Sequence, residues 1–423
     1  MINKRIKLIA LYCSITVLVY SQHVTSLTID SCFEMAKRNF PLVKQYALID
    51  KSKSYSIDNA NKSYLPQFNI GGQATYQSEV THIPISLPNV KVSELSKDQY
   101  KLYGEVSQAV TDLFTTKDYR ELISANAEIE GQKIEVELYK LKERISNLFF
   151  GILLIDAQIQ QTELLKKDIQ SGIDKVSVAI AYGTALKSSA DNLKAELLKA
   201  NQRTIELKSN RSGYAAMLSY FIDQTVDETT FLIKPSPQII SSAINRPELK
   251  LFDLQKRTFE VQNKLIKAKN LPRLNLFLQG GLGRPALNML SNDVNLYYLA
   301  GLRLNWNLAG FYTYKNEKQI LSLNQKGLDI QKEIFLFNTN VILHQQNSEV
   351  SKMQELIETD NSIITLRESI KNKTKVQLEN GTATSTDYLI DVNAQDQAAQ
   401  NLILHQIQFL MTQYNYQITS GNK

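Results

Sequence analysis

The sequence has 423 residues, 43% of them hydrophobic, and a net charge of +6 at neutral pH. Its acids and bases are interspersed rather than gathered, so it carries no electrostatic footprint for nucleic acid. It also holds no phosphate-binding glycine loop, nucleophile elbow or plausible catalytic triad, so an enzyme has little to stand on and no cofactor is expected.

The chain opens with a segment that reads as a secretory signal over 1–21. Lys4, Arg5 and Lys7 form a basic start, Leu8–Tyr20 an apolar run, and Val19-Tyr20-Ser21 a cleavage site. That run is too short to span a bilayer, and no later stretch approaches about 20 apolar residues. An exported chain without a transmembrane helix follows. Losing the three basic residues of the signal leaves a charge of +3. Cys13 lies within the apolar run after a tyrosine, which argues against lipidation, and Cys32 is then the only cysteine, so no intrachain disulfide can form. His23, His82, His344 and His405 lack ligand spacing, so no metal site is expected. His344 reads as an ordinary, partly buried residue of a helix.

Beyond the signal the chain says the same thing twice. Asn39 and Pro41 recur as Asn245 and Pro247, and Leu65-Pro66 recurs as Leu271-Pro272, all at an offset of 206 residues. Gly183-Thr184-Ala185 recurs as Gly381-Thr382-Ala383 at an offset of 198. A fixed offset of this kind marks one structural unit used twice. The expected organisation is a first repeat over 22–212, a link over 213–241 and a second repeat over 242–423. Each repeat would run helix, two strands, long helix, helix.

The strands announce themselves by alternation, because successive side chains of a strand point to opposite faces. Phe68, Ile70, Gly72, Ala74 and Tyr76 oppose Gln67, Asn69, Gln73 and Thr75. Tyr100, Leu102, Gly104 and Val106 oppose Lys101, Tyr103, Glu105 and Ser107. Leu274, Leu276, Leu278 and Leu282 oppose Arg273, Asn275 and Gln279, with Phe277 out of pattern. Leu296, Tyr298, Ala300, Leu302, Leu304 and Trp306 oppose Asn295, Gly301, Arg303 and Asn305. Each run has about the length of a tilted bilayer-crossing strand. A soluble sheet with one wet face would alternate equally well. Export, an apolar face free of charge and a polar face rich in Asn, Gln and Arg favour a barrel with lipid outside and water inside. Phe68, Ile70, Tyr76, Leu102, Val106, Leu274, Leu276, Leu302, Leu304 and Trp306 are the expected lipid-facing residues. The link Ser78–Asp98, broken by Pro84 and Pro88, and the link with Arg284-Pro285 and Asn292-Asp293 suit exposed outer loops. Four strands cannot close a barrel, and an open edge in lipid strands its backbone groups. Barrels begin at about eight strands, so at least two copies must combine, and three would give twelve.

Long helices are expected after each strand pair. Ile134, Leu138, Leu141, Ile145, Leu148, Ile152, Ile155 and Ile159 form a coiled-coil seam in a proline-free stretch from Lys117 to Val178. About 60 residues at 1.5 Å each make a rod of roughly 90 Å. A matching stretch from Lys315 to Leu378 has a looser seam of Leu356, Ile363 and Ile370, into which Asp360 and Arg367 intrude. Each rod ends at a Gly-Thr-Ala turn, followed by an acid and a renewed helix: Asp191 in one half, Asp387 in the other.

In this order and twice over, these motifs resemble the TolC-like outer-membrane efflux and secretion channels. The resemblance implies an α+β membrane protein in which long antiparallel helical hairpins build an α-barrel. Each chain would give four strands to a shared, trimeric, twelve-stranded transmembrane β-barrel. It further implies an outer-membrane location with the helical tube in the periplasm, a homotrimer, a periplasmic adaptor and an inner-membrane transporter as partners. Adaptor docking would fall at Tyr182, Gly183, Thr184, Ala185, Asn380, Gly381, Thr382 and Ala383. Asp191 and Asp387 would stand near the closed aperture. Some members latch such acids with an arginine and a tyrosine, for which this chain has Ala383 and Leu378. The competing reading is a periplasmic adaptor or coiled-coil scaffold, which would need no lipid-facing strands. The cargo is not written in the sequence.

Overall fold

The computed structural model describes residues 26–81, 94–237, 241 and 243–422. The signal segment, and Pro84 and Pro88, lie outside them. In chain order the elements are β1 (Ser26–Leu27), α1 (Ile29–Asn39), α2 (Lys44–Asn61), β2 (Gln67–Tyr76), β3 (Asp98–Ala109), α3 (Asp112–Tyr139), α4 (Leu141–Ala181), α5 (Lys187–Ile222), β4 (Phe231–Leu232), α6 (Pro247–Lys269), β5 (Arg273–Arg284), β6 (Asn295–Asn305), α7 (Gly310–Glu379) and α8 (Ser385–Ser420). Two short 3-10 turns flank α2.

The repeated motifs set element boundaries. Leu65 and Leu271 precede prolines, and a residue before proline is pushed out of the helical region. Leu65 is accordingly extended, and β2 and β5 begin directly after each Leu-Pro. Pro247 opens α6, where the missing N–H costs nothing. The two asparagines share a task. The Asn39 amide donates to the Ile222 carbonyl at the end of α5 (2.7 Å), and the Asn245 backbone N–H donates to Ser420 at the end of α8 (2.6 Å).

The main sheet runs β2-β3-β5-β6 with every pair antiparallel. Beneath it α2 packs on α3, α3 on α6 and α6 on α7. The helices attached to the four strands therefore keep the strands' lateral order, and the wall is continuous from sheet to helices. Exposed ion pairs rung this helical layer: Lys264–Glu121 (2.8 Å) between α6 and α3, and Lys256–Asp329 (3.0 Å) and Lys332–Asp253 (2.9 Å) between α6 and α7. Pairs this exposed contribute little stability, so their main effect is to hold register.

Further from the sheet the order changes. α4 packs on both α5 and α8, and α8 packs on α7. The expected first rod is interrupted once, at Lys140, which keeps helical angles (φ −63°, ψ −19°) while α3 gives way to α4. Of its expected seam, Ile134, Leu138, Leu141, Ile145, Leu148, Ile152 and Ile155 are buried and Ile159 is half-buried. Around it Phe149, Phe150, Leu218 and Tyr414 build the main core with Cys32 of α1. Burial pushes the Cys32 thiol up to about 12, which leaves it unreactive. The second rod is the single helix α7, with 70 residues and a length of about 105 Å.

Four expectations need correction. The seam of α7 does not run through Ile363 and Ile370, which are exposed; Leu328, Thr339, Leu343, Val350, Met353, Asp360 and Thr374 are its buried residues. Asp360 belongs to that seam because α8 supplies a partner, His405 Nδ1 at 2.6 Å. A pattern search for apolar residues misses a seam whose polar members are paired across it. His344 is exposed, since its position faces away from α8. Trp306 lies one residue past β6, where its indole N–H donates to the Asn270 carbonyl at 3.2 Å. Finally, α5 runs to Ile222, past the boundary expected at 213, because Gly213 alone does not stop a helix.

Ile152 is fully buried at the centre of the main core. Ile152→Ala is expected to cost about 2–5 kcal/mol, from lost burial plus the cavity left behind. Chemical unfolding of the purified protein measures it through a lowered midpoint at unchanged slope.

Candidate functional site: a two-faced sheet and two helical tips

Register places the expected lipid-facing residues on one surface. Phe68 stands beside Val106, Val106 beside Leu278, and Leu278 beside Ala300. The next row toward the links holds Ile70, Gly104, Gly280 and Tyr298, and the one after it Gly72, Leu102, Leu282 and Leu296. Toward the helices the same face continues through Leu276 beside Leu302 and Leu274 beside Leu304. Phe68 (78%), Ile70 (88%) and Tyr76 (79%) are almost bare. Leu102, Leu276, Leu302 and Leu304 are exposed, and Val106 and Leu274 half-buried between neighbours. Contiguous apolar exposure on this scale is foreign to a soluble surface and marks contact with lipid or protein.

The apolar face does carry charge, at one end only. Asp98 and Arg284 extend β3 and β5 beyond the expected limits and meet at 3.4 Å on this face, at the rim next to the links. Arg284 Nε also donates to the Asn292 carbonyl at 3.0 Å. Asn292 in turn accepts from the Ser96 backbone N–H (2.7 Å) and donates to the Glu94 carbonyl (2.6 Å). One asparagine thus ties the two links together. Nothing in the alternation of the strands signals that contact.

The opposite face holds Gln67, Asn69, Gln73, Lys101, Glu105, Asn275, Gln279 and Arg303, with three aromatic rings among them. Two of the rings lie on glycines. The Tyr103 ring occupies the space of a Gly71 side chain, 2.6 Å from where a Cβ would stand, and the Phe277 ring lies 3.2 Å from such a position at Gly301. This explains why Phe277 breaks the alternation. Its ring lies flat on the wall, and the Arg303 guanidinium crosses over it at 4.5 Å to reach Glu105 two strands away, at 3.2 and 3.3 Å. Tyr297 and Leu299 also fall on this face and were not expected there.

Among the described residues β2 and β6 are each paired on one side only. Both outer strands of the sheet therefore end in open ladders. The flanking helices repeat the situation. α7 exposes Leu323 (65%), Phe337 (67%) and Leu366 (66%) along faces that no element among the described residues covers.

At the far end of the helices the two turns share the bonds of their glycines and threonines, and the second adds one from the Ala383 N–H to the Gln377 carbonyl at 3.2 Å. Gly183 (φ +70°) and Gly381 (φ +71°) take the left-handed conformation that ends α4 and α7. The Thr184 N–H donates back to Ala179 (2.8 Å) and the Thr382 N–H to Gln377 (2.9 Å), while each glycine N–H bonds three residues back. Each threonine hydroxyl donates to the same carbonyl as its own N–H. This arrangement satisfies the last carbonyls of a helix within the turn itself. Tyr182, Gly183, Thr184, Asn380, Gly381 and Thr382 are exposed, and Ala185 and Ala383 half-buried.

The two acids are not equivalent. α5 and α8 start at matched distances from their glycines, and Asp387 is the third residue of α8, whereas Asp191 is the fifth of α5 and exposed. Asp387 accepts from the Thr384 N–H (2.9 Å) and hydroxyl (2.7 Å), while the Thr384 hydroxyl accepts from the Asp387 N–H (3.1 Å). That is a reciprocal capping box. The Thr384 hydroxyl and then its backbone N–H hold the Asp387 carboxyl below the usual aspartate range. In the first turn Ser189 stands where Asp387 stands in the second, and α5 has no side-chain cap.

Behind the tips the two hairpins are joined by polar contacts that sequence reasoning missed. Lys371 of α7 pairs with Asp168 of α4 at 2.8 Å, and the Tyr388 hydroxyl of α8 donates to the Asp168 carbonyl at 3.0 Å. Lys175 pairs with Glu379. Asp396 of α8 accepts from Gln161 at 3.1 Å and Arg203 at 3.3 Å. These residues are far apart in sequence, so only the fold reveals them.

No protein-family model and no curated protein matches the sequence. Solved structures do match. VceC, an outer membrane protein from Vibrio cholerae, has a TM-score of 0.63 at 12% identity, over 93% of this chain and 95% of that one. The outer-membrane channel OprN has a TM-score of 0.65 at 11% identity, over 93% and 90%. The MtrE outer membrane channel of Neisseria gonorrhoeae, solved in an open state, has a TM-score of 0.65 at 12% identity, over 93% and 88%. The chain has the fold of the TolC-like outer-membrane channels.

Two outcomes are expected at the tips. Gly381→Ala places a Cβ at φ +71°, where a left-handed residue costs about 1–2 kcal/mol, and should appear as lost amide protection through Val376–Ala383. The Asp387 carboxyl titrates below its unfolded value, so its contribution is complete above about pH 4 and is lost as pH falls through the folded value. Protection factors in the first turn of α8 should fall on acidification, and Asp387→Asn should remove most of that pH dependence.

Proposed function

We propose that this protein is a passive exit duct of the outer membrane. Three copies would share one twelve-stranded β-barrel through β2 and β6 and continue it as a helical tube through the periplasm. The observation that carries this reading is the sheet itself: one apolar and one polar face, open at both edges, on a helical layer of the same lateral order. A bilayer offers no partner for open ladders, and each unpaired backbone group there costs several kcal/mol. Sister copies supply the partner, and the exposed apolar face of α7 gives them a second surface.

The matched tips, the matched 36-residue helices α5 and α8 and the shared Leu-Pro strand entries support descent of the chain from a duplicated unit. At the tips, Tyr182–Ala185 and Asn380–Ala383 are the proposed docking surface for a periplasmic adaptor, which couples the duct to an inner-membrane transporter. The duct catalyses nothing; the transporter supplies the energy. Opening is a twist of the helical hairpins at the tips, where Asp191 and Asp387 contribute negative charge and Lys371–Asp168 and Lys175–Glu379 hold one hairpin to the other.

Detergent-extracted outer membranes and planar bilayers test the reading together. The protein is expected in the extract as a particle of three chains, and in the bilayer as a long-lived water-filled conductance. A water-soluble monomer without affinity for detergent would overturn it, and would leave the scaffold reading in place. Within a working duct, Asp387→Ala is expected to change conductance and divalent block. If both match the wild type, the acid has no part in the aperture.

A further inference from the structure

The strands carry few charges, and their arrangement is lopsided. Only Asp98, Lys101, Glu105, Arg273, Arg284 and Arg303 are ionised residues of β2, β3, β5 and β6. Asp98 and Arg284 lie on the apolar face and cancel each other at its rim. The other four share the polar face, where three cations meet one anion and leave a net +2 per chain.

Glu105 is committed. Its side chain is 13% exposed, under the Arg303 guanidinium that reaches it over the Phe277 ring. Among the described residues neither Lys101 nor Arg273 has a carboxylate partner within ion-pair distance. They mark opposite ends of the polar face. Lys101 stands opposite Gln73 and Gly283 near the links, and Arg273 opposite Asn305 next to the helices. Both are exposed.

We infer that the barrel section favours anionic solutes in transit, with Lys101 and Arg273 as the residues that set this preference. The inference rests on the duct proposed above, in which the polar face lines the lumen and three copies repeat the excess. Fixed charge in a water-filled cleft between low-dielectric walls concentrates counter-ions, because the walls focus the field into the solvent. Its range is set by salt: the screening length is about 10 Å at 0.1 M and about 30 Å at 0.01 M. At low salt the field of each ring of cations therefore extends well into the lumen. The committed Arg303–Glu105 pair adds no net charge between the rings. The acids at the tips act at the other end of the helices, beyond one screening length, so substitutions in the sheet address the barrel alone.

Reversal potentials across planar bilayers under a KCl gradient test this, with dilute baths near roughly 0.01 M to lengthen the screening range. Lys101→Gln with Arg273→Gln should lower the ratio of anion to cation permeability by about twofold or more at low salt, and by less at high salt. The charge-keeping exchange Lys101→Arg with Arg273→Lys should leave the ratio as in wild type. Glu105→Gln, which frees Arg303 with little change of shape, should raise it. Channels of normal conductance whose ratio is the same in wild type and the neutral double variant overturn the inference and leave the duct intact. Absence of any wild-type conductance overturns both. If the neutral double variant fails to assemble, Glu105→Gln decides, and an unchanged or lowered ratio overturns the inference.

Discussion

For the duct proposed above, backbone hydrogen bonding in a solvent that offers none is the constraint from which the rest of the molecule follows. Four strands with an apolar face as bare as Phe68, Ile70 and Tyr76 cannot rest in water, and with open ladders at β2 and β6 they cannot rest alone in lipid. Assembly with sister copies, as proposed above, would satisfy both demands. Neither edge strand is bulged in its ladder, and the one charge they carry, Arg303 of β6, reaches inward over Phe277 to Glu105 rather than guarding the edge.

The same logic explains the helices. Each of α2, α3, α6 and α7 joins a main-sheet strand through a short connection and inherits its place in the wall. A wall of helices must bury two flanks and leave two broad faces wet, so in the proposed assembly its apolar positions divide between intrachain seams and flanks kept for a neighbouring copy. The first seam, from Ile134 to Ile155, is of the former kind and almost wholly aliphatic. α7 mixes the two kinds: Met353 and Val350 turn inward while Phe337 and Leu366 remain bare.

That mixture marks the limit of what the sequence discloses. Strand faces were legible because an alternation of period two admits only two registers, and the wrong one would put Arg303 and Glu105 among the leucines. The tips were legible because a glycine followed by Thr-Ala is needed twice for the same left-handed turn. The seam of α7 was not legible: its buried members include Asp360 and Thr374, and its exposed flank is as apolar as a core. Asp360 is tolerated by virtue of His405, 45 residues away, and only the fold brings them within 2.6 Å. Phe277 failed the alternation for a comparable reason, since the glycine that accepts its ring lies on the neighbouring strand. The two-residue offset between Asp191 and Asp387 could be read from the sequence, but not its consequence: only the acid at the third helical position caps its helix.

The two turns at the distal end leave no slack chain. Each closes its helix with backbone bonds of its own and passes within a few residues to the next helix. In the proposed duct, a mouth built from such stiff corners would have no loop to swing aside. Any change in its diameter must come from rods that bend or slide along their whole length. For the motion proposed above, the interruption at Lys140 would be the joint of one hairpin, and its counterpart, unbroken for 70 residues, the strut against which it moves.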